Sequence, residues 1–418
     1  MKKRDFIKHL GGAALFSPFL GMPQNHFSRF NKPYPLEDDA FWARIREDYD
    51  LKPDYINLEN GYYNFIPKPT MEKYMKHIQM VNYEASYYMR TVQWENKDKV
   101  RDRLAKLVGA SSEEIIITRN TTESLDMIIG GYPWQRNDEA IFAEQDYGAM
   151  KDQFNLMAKK YGIVNKIVSL PNHPESDEEI VSLYESQITP KTRLLMVCHM
   201  VNITGQILPV KKICDMAHKH GVEVMVDGAH CVGHIDVNIS ELGCDYYGSS
   251  LHKWLSVPLG SGMLFVAKPH ITKIWPLFAD HTDDVPEIRR LNHTGTLPVH
   301  TDLAIDDAID YLENIGLKRK EERLRFLQRY WSDAVRDVEH IVVNTPKEQH
   351  RSCGIANVGI SHIKPAELAK VLLEEFNIFT VAIDYANVQG CRITPNIYTT
   401  TKELDAFVIA LKTLAKRV

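Results

Sequence analysis

Cysteine is scarce, and none of it falls in a C-x-x-C spacing. Cys198, Cys214, Cys231, Cys244, Cys353 and Cys391 are the only six in 418 residues. That scatter excludes a zinc ribbon or a small disulfide scaffold and fits buried or half-buried thiols. A block of positive charge is also missing: 50 basic residues stand against 55 acidic ones, for a net charge of −5. No nucleic-acid partner is expected from such a balance. No apolar run is long enough to cross a bilayer, so no membrane span is expected. Internal repeats and low-complexity linkers are absent too. What remains, 44% hydrophobic and 25% charged residues, is ordinary globular usage with enough material for a large core and two domains.

The N-terminus differs from the rest. "MKKRDFIKHLGGAALFSPFLGM" runs from a basic start through a short apolar stretch of small residues to the polar "PQNHF". Residues 1–30 therefore read as a leader that resembles a twin-arginine export signal, with Lys3-Arg4 in place of the arginine pair. This implies a periplasmic protein; the other reading is an amphipathic first helix or tail on a cytoplasmic one.

From there, apolar strand-like runs alternate with helical patterns. The runs are "EIIIT", "EAIFAEQ", "NKIVSL", "RLLMVCHM", "VEVMVDGAH", "CDYYGSS" and "GMLFVA". Between them lie "WENKDKVRDRLAKLVGA" and "LPVKKICDMAHKHG", the second stopped by Gly221. Near-continuous apolar strands separated by helices predict a mostly parallel sheet covered on both faces, with binding residues beyond the strand C-termini. The α/β texture spans residues 31–300, including an N-terminal segment 31–90. A smaller α+β region covers 301–418, with strands at "HIVVNT", "CGIANVGI" and "FTVAID". Within it, "LKRKEERLRFLQR" reads as a solvated helix face.

Chemistry-bearing residues gather at three turns. Asp227 ends an apolar strand before a glycine turn and His230; alone it reads as a helix N-cap. Lys253 follows another strand, between His252 and Trp254, near Ser250, Gly260 and Gly262. A partly desolvated amine there loses its proton readily and can act as a nucleophile. Thr121 and Thr122, in "TRNTTESLDMIIGG", open a helix whose free N–H groups suit a phosphate; the same stretch also reads as a plain helix capping box. His218 with His220, and His230 with His234, are not spaced as a metal site, and no metal is expected.

A phosphate cup, then an acid, then a lysine form the set that pyridoxal 5'-phosphate (PLP) uses. With "INLENGYYN", "NTTES", "VNITGQILPV", "DGAH", "SLHKW", "GTLPVH" and "RITPNIYTTTKELDAF", the chain resembles the class V aminotransferase family of fold-type I PLP enzymes. The resemblance runs from Ile56 to the C-terminus. It implies a seven-stranded, mostly parallel sheet and PLP held as a Schiff base on Lys253, with Asp227 at the ring nitrogen. It further implies His230 and Asn202 at the ring hydroxyl, and Ser250, His252, Thr122 and the Thr121 N–H at the phosphate. Tyr147 would lie over the ring, Arg392 would grip a substrate carboxylate, and Thr296 would reach the neighbouring site of a homodimer. The other readings are a core residue for Tyr147 and a structural ion pair for Arg392.

The wording "HKWLSVPLGSG" is most similar to the isopenicillin N epimerase branch, which implies epimerase or aminotransferase chemistry on an amino acid. Cysteine desulfurase or C–S lyase chemistry is the alternative. Neither Cys391, directly beside Arg392, nor Cys353 occupies the position of a desulfurase's reactive cysteine. A PLP-binding sensor without turnover is a third reading.

Overall fold

Seven strands form one sheet in the computed structural model, which describes residues 39–279 and 286–417. They are β1 (Ile115–Thr118), β2 (Glu139–Ala143), β3 (Val164–Val168), β4 (Thr192–Cys198), β5 (Glu223–Asp227), β6 (Tyr246–Ser250) and β7 (Gly262–Val266). The spatial order is β1-β7-β6-β5-β4-β2-β3. Strand β7 runs antiparallel to both neighbours, and every other pairing is parallel. Each apolar run in the sequence becomes one of these strands. Those inside the sheet are buried on both faces, so they show no alternation. Strand β3 lies at the edge and leaves Val164 and Ile167 exposed.

Two helix ends show how the local sequence sets the geometry. The helix Val210–Lys219 closes with the Val222 N–H on the Ala217 carbonyl and the Gly221 N–H on that of His218. Gly221 lies one position beyond the capping His220 at φ +71°, a left-handed conformation that glycine adopts without strain. The helix Thr121–Gly131 is capped by neither threonine: the Asn120 side chain accepts the Glu123 N–H at 2.8 Å. The capping box read at Thr121 and Thr122 is thereby corrected, and both hydroxyls are left for other partners.

Toward the C-terminus a second, antiparallel sheet is built from β8 (Ile341–Val343), β9 (Ala356–Ile360), β10 (Val381–Tyr385) and β11 (Val388–Ile393). Its spatial order is β10-β11-β9-β8. It has its own core, in which Trp331, Phe407, Leu404 and Ile393 pack together. The described residues of both sheets belong to one compact unit. A short parallel pairing of Ile56–Asn57 with Ile378–Phe379 ties the segment before Glu59 to this region.

The helix Leu317–Asp333 differs from its expected solvated face, because Lys320 and Arg323 are buried on it beside Leu324, Leu327 and Trp331. Lys320 donates to the Trp254 carbonyl, and burial pushes its amine down to about 7. Arg323 donates to the Thr399 carbonyl at 3.1 Å and stacks 5.2 Å from the Trp42 ring centre. Long cationic side chains bury their stems when their tips reach a carbonyl or a ring.

Among the described residues, no helix is long and apolar enough to cross a membrane. The leader expected over residues 1–30 lies outside the described residues.

Candidate active site

Strands β4, β5 and β6 lie side by side and parallel, so their C-terminal ends open onto one space. Register sets Cys198 beside Asp227 and Asp227 beside Gly248. Ser250 ends β6, and Lys253 sits in the turn that follows. The N-terminus of helix Thr121–Gly131 meets the same space because β7 begins with Gly262: a Cβ there would stand 2.6 Å from the Asn120 Cα. Only a glycine allows that approach.

A cavity of about 290 Å³ results. Thr121, Thr122, Tyr147, Asn202, Asp227, His230, Ser250, His252, Lys253 and Arg392 all line it. Thr296 does not; it is exposed on this chain, away from the lining. Cys198, Gly61 and Tyr62 complete parts of the wall that the sequence did not suggest.

At one end are hydroxyls and N–H groups. The Thr121 N–H donates to Ser250 Oγ at 3.0 Å, and the two hydroxyl oxygens are 2.7 Å apart. His252 donates Nδ1–H to the Ser261 carbonyl at 3.3 Å, which leaves its Nε2 free for another partner. A helix N-terminus with such groups attracts a phosphate.

Deeper in lies the amine. Lys253 Nζ is 3.2 Å from His230 Nε2, while His230 Nδ1 accepts the Trp254 indole N–H at 3.2 Å. Burial pushes the Lys253 amine down to about 8; nearby Asp227 opposes this and Arg392 adds to it. Burial, with Lys253 and Arg392 close by, holds the His230 imidazole well below its ordinary range. Asp227 is buried, and this raises its carboxyl despite the Ala229 N–H on Oδ1 at 3.0 Å and the nearby Lys253. A buried acid facing a buried amine, with room between them, can hold a charged ring.

Arg392 projects from β11 into the cavity wall, paired with Glu59. Its Nε donates to Glu59 Oε2 at 3.1 Å, Nη2 meets Oε1, and Nη1 reaches the Asn202 carbonyl at 3.3 Å. Sequence reasoning missed Glu59 as a partner, since 333 positions separate the two and no local pattern links them. Removing one member of a buried pair strands the other. Arg392→Ala is therefore expected to lower stability to denaturant by about 3–5 kcal/mol, and the double variant with Glu59→Gln to recover much of that. Additive losses in the double-variant comparison would contradict the pairing.

The donor set fits a phosphate ester carried on an aromatic aldehyde: hydroxyls and a helix terminus for the phosphate, an amine for the carbonyl, a carboxylate for a ring nitrogen. Comparison with known proteins agrees. The aminotransferase class-V family model matches residues 66–407. The isopenicillin N epimerase of Streptomyces clavuligerus is 27% identical over 398 residues, 90% of this chain and 98% of that one. A probable cysteine desulfurase of Halalkalibacterium halodurans is 29% identical over 295 residues, 68% of this chain and 71% of that one. The solved apo cysteine desulfurase of Thermococcus onnurineus NA1 superposes with a TM-score of 0.80 at 21% identity, covering 90% and 98% of the two chains. The chain belongs to the aminotransferase class-V family. It is a PLP-dependent enzyme of fold type I.

Proposed function

We propose that this enzyme acts on an amino acid by removing its Cα proton, as an isopenicillin N epimerase-like enzyme or an aminotransferase. The observation that carries this reading is the buried Lys253 amine, in contact with His230 and sharing one cavity with Asp227 and Arg392. Bound PLP supplies an electron sink for charge developing at Cα. Lys253 holds the cofactor carbonyl and, once released, takes the Cα proton as general base. Asp227 keeps a positive charge on the ring nitrogen. Thr121, Thr122, Ser250 and His252 would hold the phosphate, and Asn202 and His230 would serve the ring hydroxyl. Tyr147 would cover the ring. Arg392 orients the substrate carboxylate, a task for which its planar fork is suited, and Glu59 competes for that fork.

The desulfurase alternative needs a thiolate beside the substrate. Cys353 and Cys391 are buried, and burial pushes both thiols up to about 12. Cys198 lines the cavity, yet burial beside Asp227 and Asp146 pushes its thiol far up. These thiols favour Cα chemistry or C–S lyase chemistry over persulfide formation.

A homodimer belongs to this reading, with Thr296 of the partner subunit reaching the phosphate. It is supported by an exposed apolar row on the helix Lys68–Glu84, formed by Met71, Met75 and Ile78. The reading also assigns residues 31–300 to cofactor binding and 301–418 to a smaller C-terminal domain. Export with the cofactor loaded fits the Lys3-Arg4 leader, and the mature N-terminus in periplasmic and cytoplasmic fractions tests it.

The reaction is tested with a panel of L- and D-amino acids in deuterated water, with and without a 2-oxo acid. Deuterium at Cα with inversion supports the epimerase, and oxo-acid dependence the aminotransferase. Pyruvate with sulfide release would replace both with a lyase, and no conversion of any amino acid would leave the sensor.

A further inference from the structure

The hydrogen bonds behind Lys253 fix more than its position. An indole nitrogen can only donate, so the Trp254 N–H on His230 Nδ1 requires that nitrogen to carry no proton. The proton of a neutral His230 then sits on Nε2, which faces Lys253 Nζ at 3.2 Å. An ammonium has three donors and no acceptor. The contact is therefore a hydrogen bond only when Nζ is a neutral amine that accepts from Nε2–H.

The indole has little freedom to turn away. Trp254 is fully buried, and the His234 ring stacks on it with centres 3.7 Å apart. His234 is fixed in turn: Nδ1–H donates to the His230 carbonyl at 2.9 Å, and Nε2 accepts the Gly354 N–H at 2.8 Å. Lys320 holds the Trp254 backbone carbonyl from the helix Leu317–Asp333. Residues far along the chain thus clamp the side chain that sets the histidine's proton.

We propose that Trp254 is a positioning residue that, by keeping the His230 proton on Nε2, biases Lys253 toward its neutral amine before the cofactor arrives. This rests on the reading of Lys253 as the cofactor lysine. The neutral form is the one that condenses with an aldehyde: its lone pair forms the new C–N bond, and its two hydrogens leave with the carbonyl oxygen as water. The other groups near Nζ divide. Asp227 on β5 and the thiols of Cys198 and Cys231 favour the ammonium; burial and Arg392 on β11 disfavour it. The Trp254–His230 pair adds a directional bias to that balance.

The test uses the cofactor-free full chain and traces of acetic anhydride across pH 6 to 11, with acetylation of Lys253 followed by peptide mass spectrometry. The wild-type midpoint is expected near 8. Trp254→Phe is expected to raise it by about one unit or more, a loss of about tenfold in neutral amine at pH 7. An unchanged midpoint in a folded Trp254→Phe chain would overturn the proposal. Should that variant fail to fold, nitrogen-15 chemical shifts of His230 in the wild-type cofactor-free protein decide: an Nε2–H tautomer supports the proposal, and an Nδ1–H tautomer or an imidazolium at pH 7 overturns it. Failure of the underlying reading is distinguishable, because reductive trapping of the cofactor on another residue leaves these measurements unaffected.

Discussion

Lys253→Ala is expected to slow exchange of a substrate's Cα hydrogen with solvent by about 10²–10⁴-fold or more, the range associated with loss of a positioned general base. The variant also loses the amine that holds the cofactor carbonyl, so the borohydride-sensitive visible absorbance disappears with it. The hydrogen bonds at the phosphate end do not include Lys253. Thr121 and Ser250 hold each other from a helix and a strand end, so the cofactor-free variant keeps its affinity for inorganic phosphate within about twofold. Isotope exchange by mass spectrometry and phosphate binding by calorimetry separate the two effects. Exchange at the wild-type rate in the variant would remove Lys253 from the chemistry.

Asp227→Asn should cost turnover about 10²–10³-fold, a typical loss when one preorganised electrostatic partner is removed. Its effect on stability has the opposite sign. Burial raises the Asp227 carboxyl above its unfolded value, so the native state binds more protons between the two values. Stability of the cofactor-free protein therefore falls as pH rises through that window, and above it the buried charge persists as a penalty. Asparagine carries no such charge. Thermal midpoints of the cofactor-free variant are expected at or above the wild type at pH 8, with a smaller difference at pH 4. A variant inactive only because it is less stable at pH 8 would remove Asp227 from this electrostatic role.

The strands were legible because a doubly covered sheet writes itself as unbroken apolar runs, and all seven appear as such. Strand β11 was not, since Gly390 and Arg392 interrupt its pattern. Gly390 packs so closely on β9 that a Cβ would lie 2.5 Å from the Val358 carbonyl oxygen, a tertiary demand invisible locally. Thr121 and Thr122 were rightly placed at a helix start, but Asn120, one residue earlier, takes the cap because its amide oxygen reaches the Glu123 N–H. Lys320 and Arg323 looked solvated because charge alone does not reveal a carbonyl or ring waiting at the stem's end. Apart from Arg392 on β11, the expected cavity-lining residues came from strand ends, the turns after them and a helix start, where chain order already suggests convergence. Their partners Glu59 and Trp254 act across distances that no spacing rule covers.

Lys253 is the residue proposed to carry the cofactor. Borohydride reduction of the PLP-loaded wild-type enzyme, followed by proteolysis and peptide mass mapping, addresses this directly. A phosphopyridoxyl group on the peptide containing Lys253, and on no other lysine at comparable yield, is the predicted result. The same group on Lys320 or any other lysine, with Lys253 unmodified, would remove Lys253 from that role.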